Sequence, residues 1–170
     1  MKDLHTSINY ANHLSSAFLI YFVKRFSFKL KEQFTAPKKI YCIDNGIVSL
    51  INLNVDERKG RLMENLVCVS LFRRKSYSFE DFDIFYWKDA AQREVDFLIK
   101  RGKNVERLIQ VTNVSSKEEI NERETKNLLV ASEELRCDNL LIITWDYEAE
   151  EKIKGKKIRF VPLWKWLLDV

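Results

Sequence analysis

Glycine and proline are scarce, at 4 and 2 of 170 residues, so the chain has the composition of neither a flexible linker nor a disordered segment. Only three cysteines are present, Cys42, Cys68 and Cys137, an odd number without short spacing. That argues against a disulfide framework and a cysteine-based zinc site, and suits a reducing cytoplasm. No apolar run approaches the ~20 residues that span a bilayer, and the start, Met1-Lys2-Asp3-Leu4-His5, lacks the apolar core of a signal peptide. A cytoplasmic protein without a membrane partner is expected. Also missing is the phosphate-loop pattern G-x-x-x-x-G-K-[ST]. Lys59-Gly60 continues into no such loop, so this chain has no nucleotide-hydrolysing centre of that kind.

What is present is a core-forming composition, 46% hydrophobic and 32% charged. The charge is unevenly placed. Residues 1–75 carry 13 Lys/Arg against 6 Asp/Glu, a net of +7, and residues 76–170 carry 16 against 19, a net of −3. The basic half places Lys24, Arg25, Arg73, Arg74 and Lys75, with Lys38-Lys39, where a phosphate backbone would be met. The alternative is that these residues solvate exposed faces.

The periodicity predicts a helix over 5–16 and two aromatic, β-rich runs, 17–24 and 26–30, paired as a hairpin. A strand follows over 38–44 (KKIYCID), then a short helix through Leu50 after Asn45-Gly46. Asp56 is the expected N-cap of a long helix, 57–75, striped by Leu62, Leu66 and Val69. Strands are expected at 83–88, 93–100 and 105–112. A helix over 117–135 is expected to be capped by Ser115 or Ser116, with Glu119 completing a capping box. The run 139–145 (NLLIITW) reads as a buried strand parallel to 105–112. Lys154-Gly155-Lys156 turns a late hairpin. Trp164 and Trp166 belong to a terminal helix that closes the core, or alternatively stack on a partner.

The strands 93–100 and 105–112 carry the sharpest geometry. Strict alternation puts Glu94, Asp96, Leu98 and Lys100 on one face, and Arg93, Val95, Phe97 and Ile99 on the other. A three-residue loop, Gly102-Lys103-Asn104, pairs residues whose numbers sum to 206, so Asp96 falls opposite Gln110 and Glu94 opposite Thr112. A mid-sheet carboxylate needs a partner. It can be a hydrogen-bonded structural group. It can also join Glu64, from the middle of helix 57–75, and Gln110 in holding Mg²⁺, which lowers the pKa of a bound water.

Several motifs in order, KKIYCIDNGI, GRLMENLVCVSLFRR, IFYWKDAAQREVDFLIK, LIQVT and VPLWKWLLD, resemble the C-terminal domain of predicted archaeal and bacterial AAA-type ATPases. The order helix, three strands, helix, strand resembles the αβββαβ core of the PD-(D/E)XK nuclease-like fold. The resemblance covers roughly 17–170. It implies that residues 1–35 are the end of a winged-helix-like segment and its junction, and that 36–170 are the nuclease-like domain. In such folds a Glu on the first helix, an Asp on the second strand and E-x-K on the third build the metal site, which corresponds here to Glu64, Asp96 and Gln110-Val111-Thr112.

The third of these positions departs from the pattern. Gln110 offers a neutral oxygen, and Thr112 cannot replace the lysine that stabilises developing charge. The expectation is therefore a catalytically degenerate module that binds DNA or a protein partner beside an ATPase module, or as a homo-oligomer. It requires no cofactor, with Mg²⁺ the ion its oxygens suit. The alternatives are a Mg²⁺-dependent DNA endonuclease and a purely structural or oligomerisation domain. Without a metal, the two carboxylates are expected to raise a pKa or recruit Lys88, Lys100 or Arg93, with Lys100 preferred.

Overall fold

The computed structural model describes residues 4–51, 58–77 and 81–168. The elements run α1 (Leu4–Ser16), β1 (Ile20–Arg25), α2 (Leu30–Thr35), β2 (Lys39–Cys42), α3 (Asn45–Ile51), α4 (Arg58–Tyr77), β3 (Asp83–Lys88), β4 (Glu94–Arg101) and β5 (Asn104–Val111). Then follow α5 (Glu122–Leu135), β6 (Leu140–Thr144), β7 (Ala149–Ile153), β8 (Lys156–Pro162) and α6 (Leu163–Leu168). The expected cap at Asp56 lies outside the described residues.

The strands form one mixed sheet of eight, in the order β2-β1-β3-β4-β5-β6-β8-β7. β3, β4 and β5 are an antiparallel meander. After the α5 crossover, β6 lies parallel to β5, as the two apolar runs predict. Helices cover both faces. Met63, Val67, Cys68 and Leu71 of α4 and Leu163 and Trp166 of α6 pack on Phe97, Ile99, Ile109, Val111, Leu141 and Ile143. Leu128, Leu129, Ala131 and Leu135 of α5 pack on Val95, Leu98, Leu108, Leu140 and Ile142. A strand buried on both faces needs no polar alternation, so β6 reads Leu-Leu-Ile-Ile-Thr and is buried throughout. Among the described residues no helix is long and apolar enough to cross a membrane.

Three local expectations are corrected. The hairpin of 17–24 with 26–30 does not form. β1 pairs antiparallel with β2 and, over two residues, parallel with β3. The second aromatic run ends at Phe26, whose N–H donates to Tyr86 O. Ser27 then turns the chain: its Oγ accepts from Lys29 N and donates to Glu32, and its carbonyl accepts from the Gln33 amide. The helix-forming side chains of Leu30–Gln33 outweigh the β-propensity of Phe28. Phe28 stays 75% exposed.

Helix α5 starts at Glu122 rather than 117. Asn121 is its cap, with a side chain that accepts from Arg123 N at 2.9 Å, and Glu122 and Glu124 suit the positive end of the helix dipole. Glu119 accepts from Ser115 N in the preceding turn instead of closing a capping box with Ser116.

The β4–β5 register has the expected sum of 206 at Phe97–Ile99, then slips by one, so that Lys100 faces Val105 and Arg101 faces Asn104. The turn is thus two residues, Gly102-Lys103. Gly102 carries a φ of +57°, which a glycine takes without a Cβ clash.

Candidate functional site

The strict alternation expected along β4 breaks at the residues that matter most. Phe85 faces Leu98 and Trp87 faces Val95, so both Asp96 and Phe97 stand opposite the single residue Tyr86. This is a β-bulge, and it re-aims a side chain. Val95 and Leu98 both pack on the α5 face, whereas Phe97 and Ile99 belong to the α4 face. Asp96 also turns toward α4, the opposite face from Leu98.

There it meets Glu64. That residue sits on the inner side of α4, next to Met63 and one turn before Cys68, both buried. Lys39 lies between the two acids. Its ammonium donates to Glu64 Oε1 at 2.9 Å and Asp96 Oδ1 at 3.1 Å, and it pairs with Glu94 at 2.8 Å. The Tyr86 ring lies beneath it, 5.6 Å from Nζ. Tyr41, two residues along the same strand and buried, donates its hydroxyl to the same Glu64 oxygen at 2.6 Å. The second Asp96 oxygen accepts from Val111 N at 3.0 Å. Lys88 holds the other oxygen of Glu94 at 3.1 Å.

The short edge strand β2 is held over α4 by one amide. Asn65, 6% exposed, accepts from Cys42 N and donates to Cys42 O and Asn45 Oδ1, each at 2.8 Å. This satisfies backbone groups that an edge strand leaves open and sets Lys39 and Tyr41 above Glu64.

The electrostatics follow from this geometry. Burial, reinforced by the Glu64 charge, pushes the Asp96 carboxyl up to about 7, although Lys39 and the Val111 N–H pull it back. Burial disfavours the Lys39 ammonium, but the charges of Asp96, Glu64 and Glu94 outweigh burial and raise its pKa. Burial and Glu64 raise the Tyr41 phenol and the Cys68 thiol, which stay neutral hydrogen-bonding and packing groups. Glu94 feels burial too, but Lys39 and Lys88 hold it below its ordinary value.

The structure therefore brings Glu64 and Asp96 together, as the sequence predicts, but through a cation that the sequence pattern does not single out. Lys100 donates to Gly102 O, and Arg93 pairs with Asp89. Gln110 is not part of the group. Its neighbours Ile109 and Val111 pack on the α4 face and its parallel partner Ile142 on the α5 face, so alternation places Gln110 on the α5 side of the sheet. Its Oε1 is buried without a hydrogen-bond partner. Thr112 hydrogen-bonds Glu124 of α5, whose carboxyl burial raises.

A divalent metal does not fit the site as it stands. Among the described residues no three His, Cys, Asp or Glu side chains are arranged to hold a metal ion, because the carboxylates converge on an ammonium group. A signal for Lys39 was present in the sequence: on a short strand it shares its face with Tyr41, so it points inward, and an inward lysine requires a carboxylate.

The five basic residues expected at a phosphate backbone are scattered. Lys24 lies 5.0 Å from the Phe34 ring centre. Arg25 lines a cleft of about 470 Å³ with Trp87, Lys88 and Glu134. Arg73 is exposed. Arg74 stacks on Trp166, 4.0 Å from the ring centre, and donates to its carbonyl at 2.6 Å, which fastens α6 to α4. Lys75 pairs with Asp83 at 3.1 Å.

Comparison with known proteins agrees with the order of motifs. The family described as Domain of unknown function (DUF4143) matches residues 59–166, from the start of α4 to α6. The uncharacterized protein MJ1544 of Methanocaldococcus jannaschii is 39% identical over 180 residues, an alignment that takes in 99% of this chain and 38% of the relative. The chain thus spans under two-fifths of the length of that curated relative. With most of its length matched, from the helix that carries Glu64 to the helix that carries Trp166, the chain belongs to the DUF4143 family.

Proposed function

We propose that this chain is a nuclease-like module of the PD-(D/E)XK type that has closed its own metal site and binds DNA without cutting it, as part of a larger AAA-type ATPase assembly. The observation that carries this reading is the position of Lys39. Its ammonium fills the point where Glu64, Glu94 and Asp96 converge, at 2.8–3.1 Å from an oxygen of each. A divalent ion would have to displace a cation that three carboxylates hold. Chemistry in such folds depends on a metal-bound water, so the geometry favours binding over hydrolysis.

Further support is topological. The succession α4-β3-β4-β5-α5-β6, with β5 and β6 parallel, follows the αβββαβ order. Glu64 and Asp96 occupy the first-helix and second-strand positions, while Gln110 and Thr112 leave the third-strand positions without an acid and a lysine. The greater length of the relative suits a module that works beside another domain.

Two measurements test the reading. The full chain incubated with supercoiled plasmid and Mg²⁺ or Mn²⁺ is expected to leave it intact. Nicking that disappears in Asp96→Asn would make the chain an endonuclease. In filter binding, duplex retention is expected to fall steeply as salt rises. No retention at low salt removes DNA from the proposal and leaves a protein partner or a structural role.

A further inference from the structure

A second charged site lies under the same helix, at the other end. Ile109 and Val111 of β5 face α4, and Arg107, opposite Ile99 of the same face, stands four residues before Val111, about 13 Å along the strand. Arg74 is ten residues beyond Glu64 on α4, about 15 Å along the helix. Here Arg74, Arg107, Arg159, Asn139 and Trp166 surround a cavity of about 90 Å³, with an apolar floor from β6 and β8. A water needs roughly 10–15 Å³ of such space, so the cavity has room for one tetrahedral oxyanion.

The composition of this lining is one-sided. It contains three guanidinium groups and, among the described residues, no carboxylate. Among the described residues the side chains of Arg107 and Arg159 form no hydrogen bond or ion pair. The neighbouring acids are engaged elsewhere: Glu106, beside Arg107 on β5, pairs with Arg101 at 2.7 Å, and Glu150 of β7, which lies opposite Arg159 in the ladder, pairs with Lys157 at 2.8 Å. Trp166 is 4% exposed, and its indole N–H is buried without an acceptor. Arg107 and Arg159 bring two like charges to one cavity, and a bound oxyanion relieves their repulsion. Arg74 plays a separate part, because by stacking on Trp166 it holds the indole at the cavity wall.

We propose that this cavity binds a single phosphoryl group, held by Arg107 and Arg159 with the Trp166 side chain beside it. Both the phosphodiester of a nucleic acid and free phosphate present this chemistry. The proposal stands apart from the reading of the Lys39 cluster, because it uses none of the same residues.

The test follows the indole N–H of Trp166 by ¹H–¹⁵N NMR in the full chain, with the signal assigned by its loss in Trp166→Phe. Inorganic phosphate is titrated at constant ionic strength. The Trp166 signal is expected to move saturably, and Arg107→Gln and Arg159→Gln each weaken the affinity roughly tenfold or more. Lys103→Gln, on the exposed β4–β5 turn, leaves it unchanged. A short DNA duplex is then added. If it displaces phosphate, and if Arg107→Gln lowers the salt slope of duplex binding by about one, the source is a nucleic-acid backbone. Phosphate binding that the duplex does not disturb supports the site and assigns it to free phosphate. A Trp166 signal that does not move, or that moves equally in folded Arg107→Gln and Arg159→Gln, overturns the proposal; Arg107→Lys serves if the glutamine variant at 107 fails to fold.

Discussion

The two ends of the α4-covered sheet face handle charge in opposite ways. At the end where β4 begins, three carboxylates surround one lysine, and every charge has an opposite within about a hydrogen-bond length. At the other end Arg74, Arg107 and Arg159 line a cavity that, among the described residues, no acid lines. The first end is closed upon itself, and charge there is part of what holds β2, β4 and α4 together. The second is open: Arg74 fastens α6 to α4, while Arg107 and Arg159 are placed to meet something negative. Buried charge that is internally paired marks cohesion, whereas charge of one sign gathered around a solvent-facing cavity marks a place for a ligand.

The largest expected effect breaks the closed end. Lys39→Met leaves Glu64, Glu94 and Asp96 facing one another without a cation. Stability at pH 8 is expected to fall by roughly 3–5 kcal/mol in chemical denaturation. The loss shrinks at pH 5, where Asp96 takes up a proton. Mg²⁺ or Ca²⁺ should raise the melting temperature of this variant and leave the wild type unmoved. A variant as stable as the wild type, or one indifferent to divalent ions, would show that the cluster is not closed by Lys39.

The next effect is one of pH. The Asp96 carboxyl is raised from 3.8 to about 7, so the folded state binds this proton more tightly than the unfolded chain does. Its contribution is present at low pH and lost as pH rises through about 7, by about 3 kcal/mol between pH 5 and 8. Asp96→Asn should flatten that slope and match or exceed wild-type stability at pH 8. A steep loss of fold would make the Val111 N–H bond, rather than the charge, the main role of Asp96.

Tyr41→Phe removes a hydrogen bond to a charged oxygen while keeping the buried ring. A loss of about 1.5 kcal/mol is expected. The smallest effect is at the open end. Arg107→Gln and Arg159→Gln should change stability by less than about 0.5 kcal/mol, or raise it, since each relieves like charge. A large destabilisation by either would mean that both ends are structural and would erase the contrast.

Much of the fold was legible because it is periodic and local. Helix α4, the meander β3–β5, the α5 crossover and the apolar run of β6 follow from residue spacing, and the late hairpin follows from Lys154-Gly155. Glu64 and Asp96 were legible as acids at costly positions. Lys39 was less so, because the contact is long-range: 25 residues separate it from Glu64 and 57 from Asp96. No periodicity over a short window registers such a pairing. The partner of β1 was lost for a related reason, since the nearest aromatic run competed with a more distant strand and Ser27 decided between them. Asp96 was set on the Gln110 face because alternation was carried unbroken through residues 95–98, where the strand in fact skips a step.

That skipped step constrains how this sequence can vary. Between Val95 and Leu98 the chain spends two residues where its neighbour β3 spends one. Deleting either would restore perfect alternation, the pattern that ordinarily marks a well-made strand. Regularity would then send the acid at 96 away from Lys39, or draw the Val95 side of the strand out from beneath α5. Any relative that keeps this cluster must keep the count of residues there before it keeps their names. An aligner comparing such chains should weigh a one-residue gap in this strand more heavily than a substitution at the acid itself.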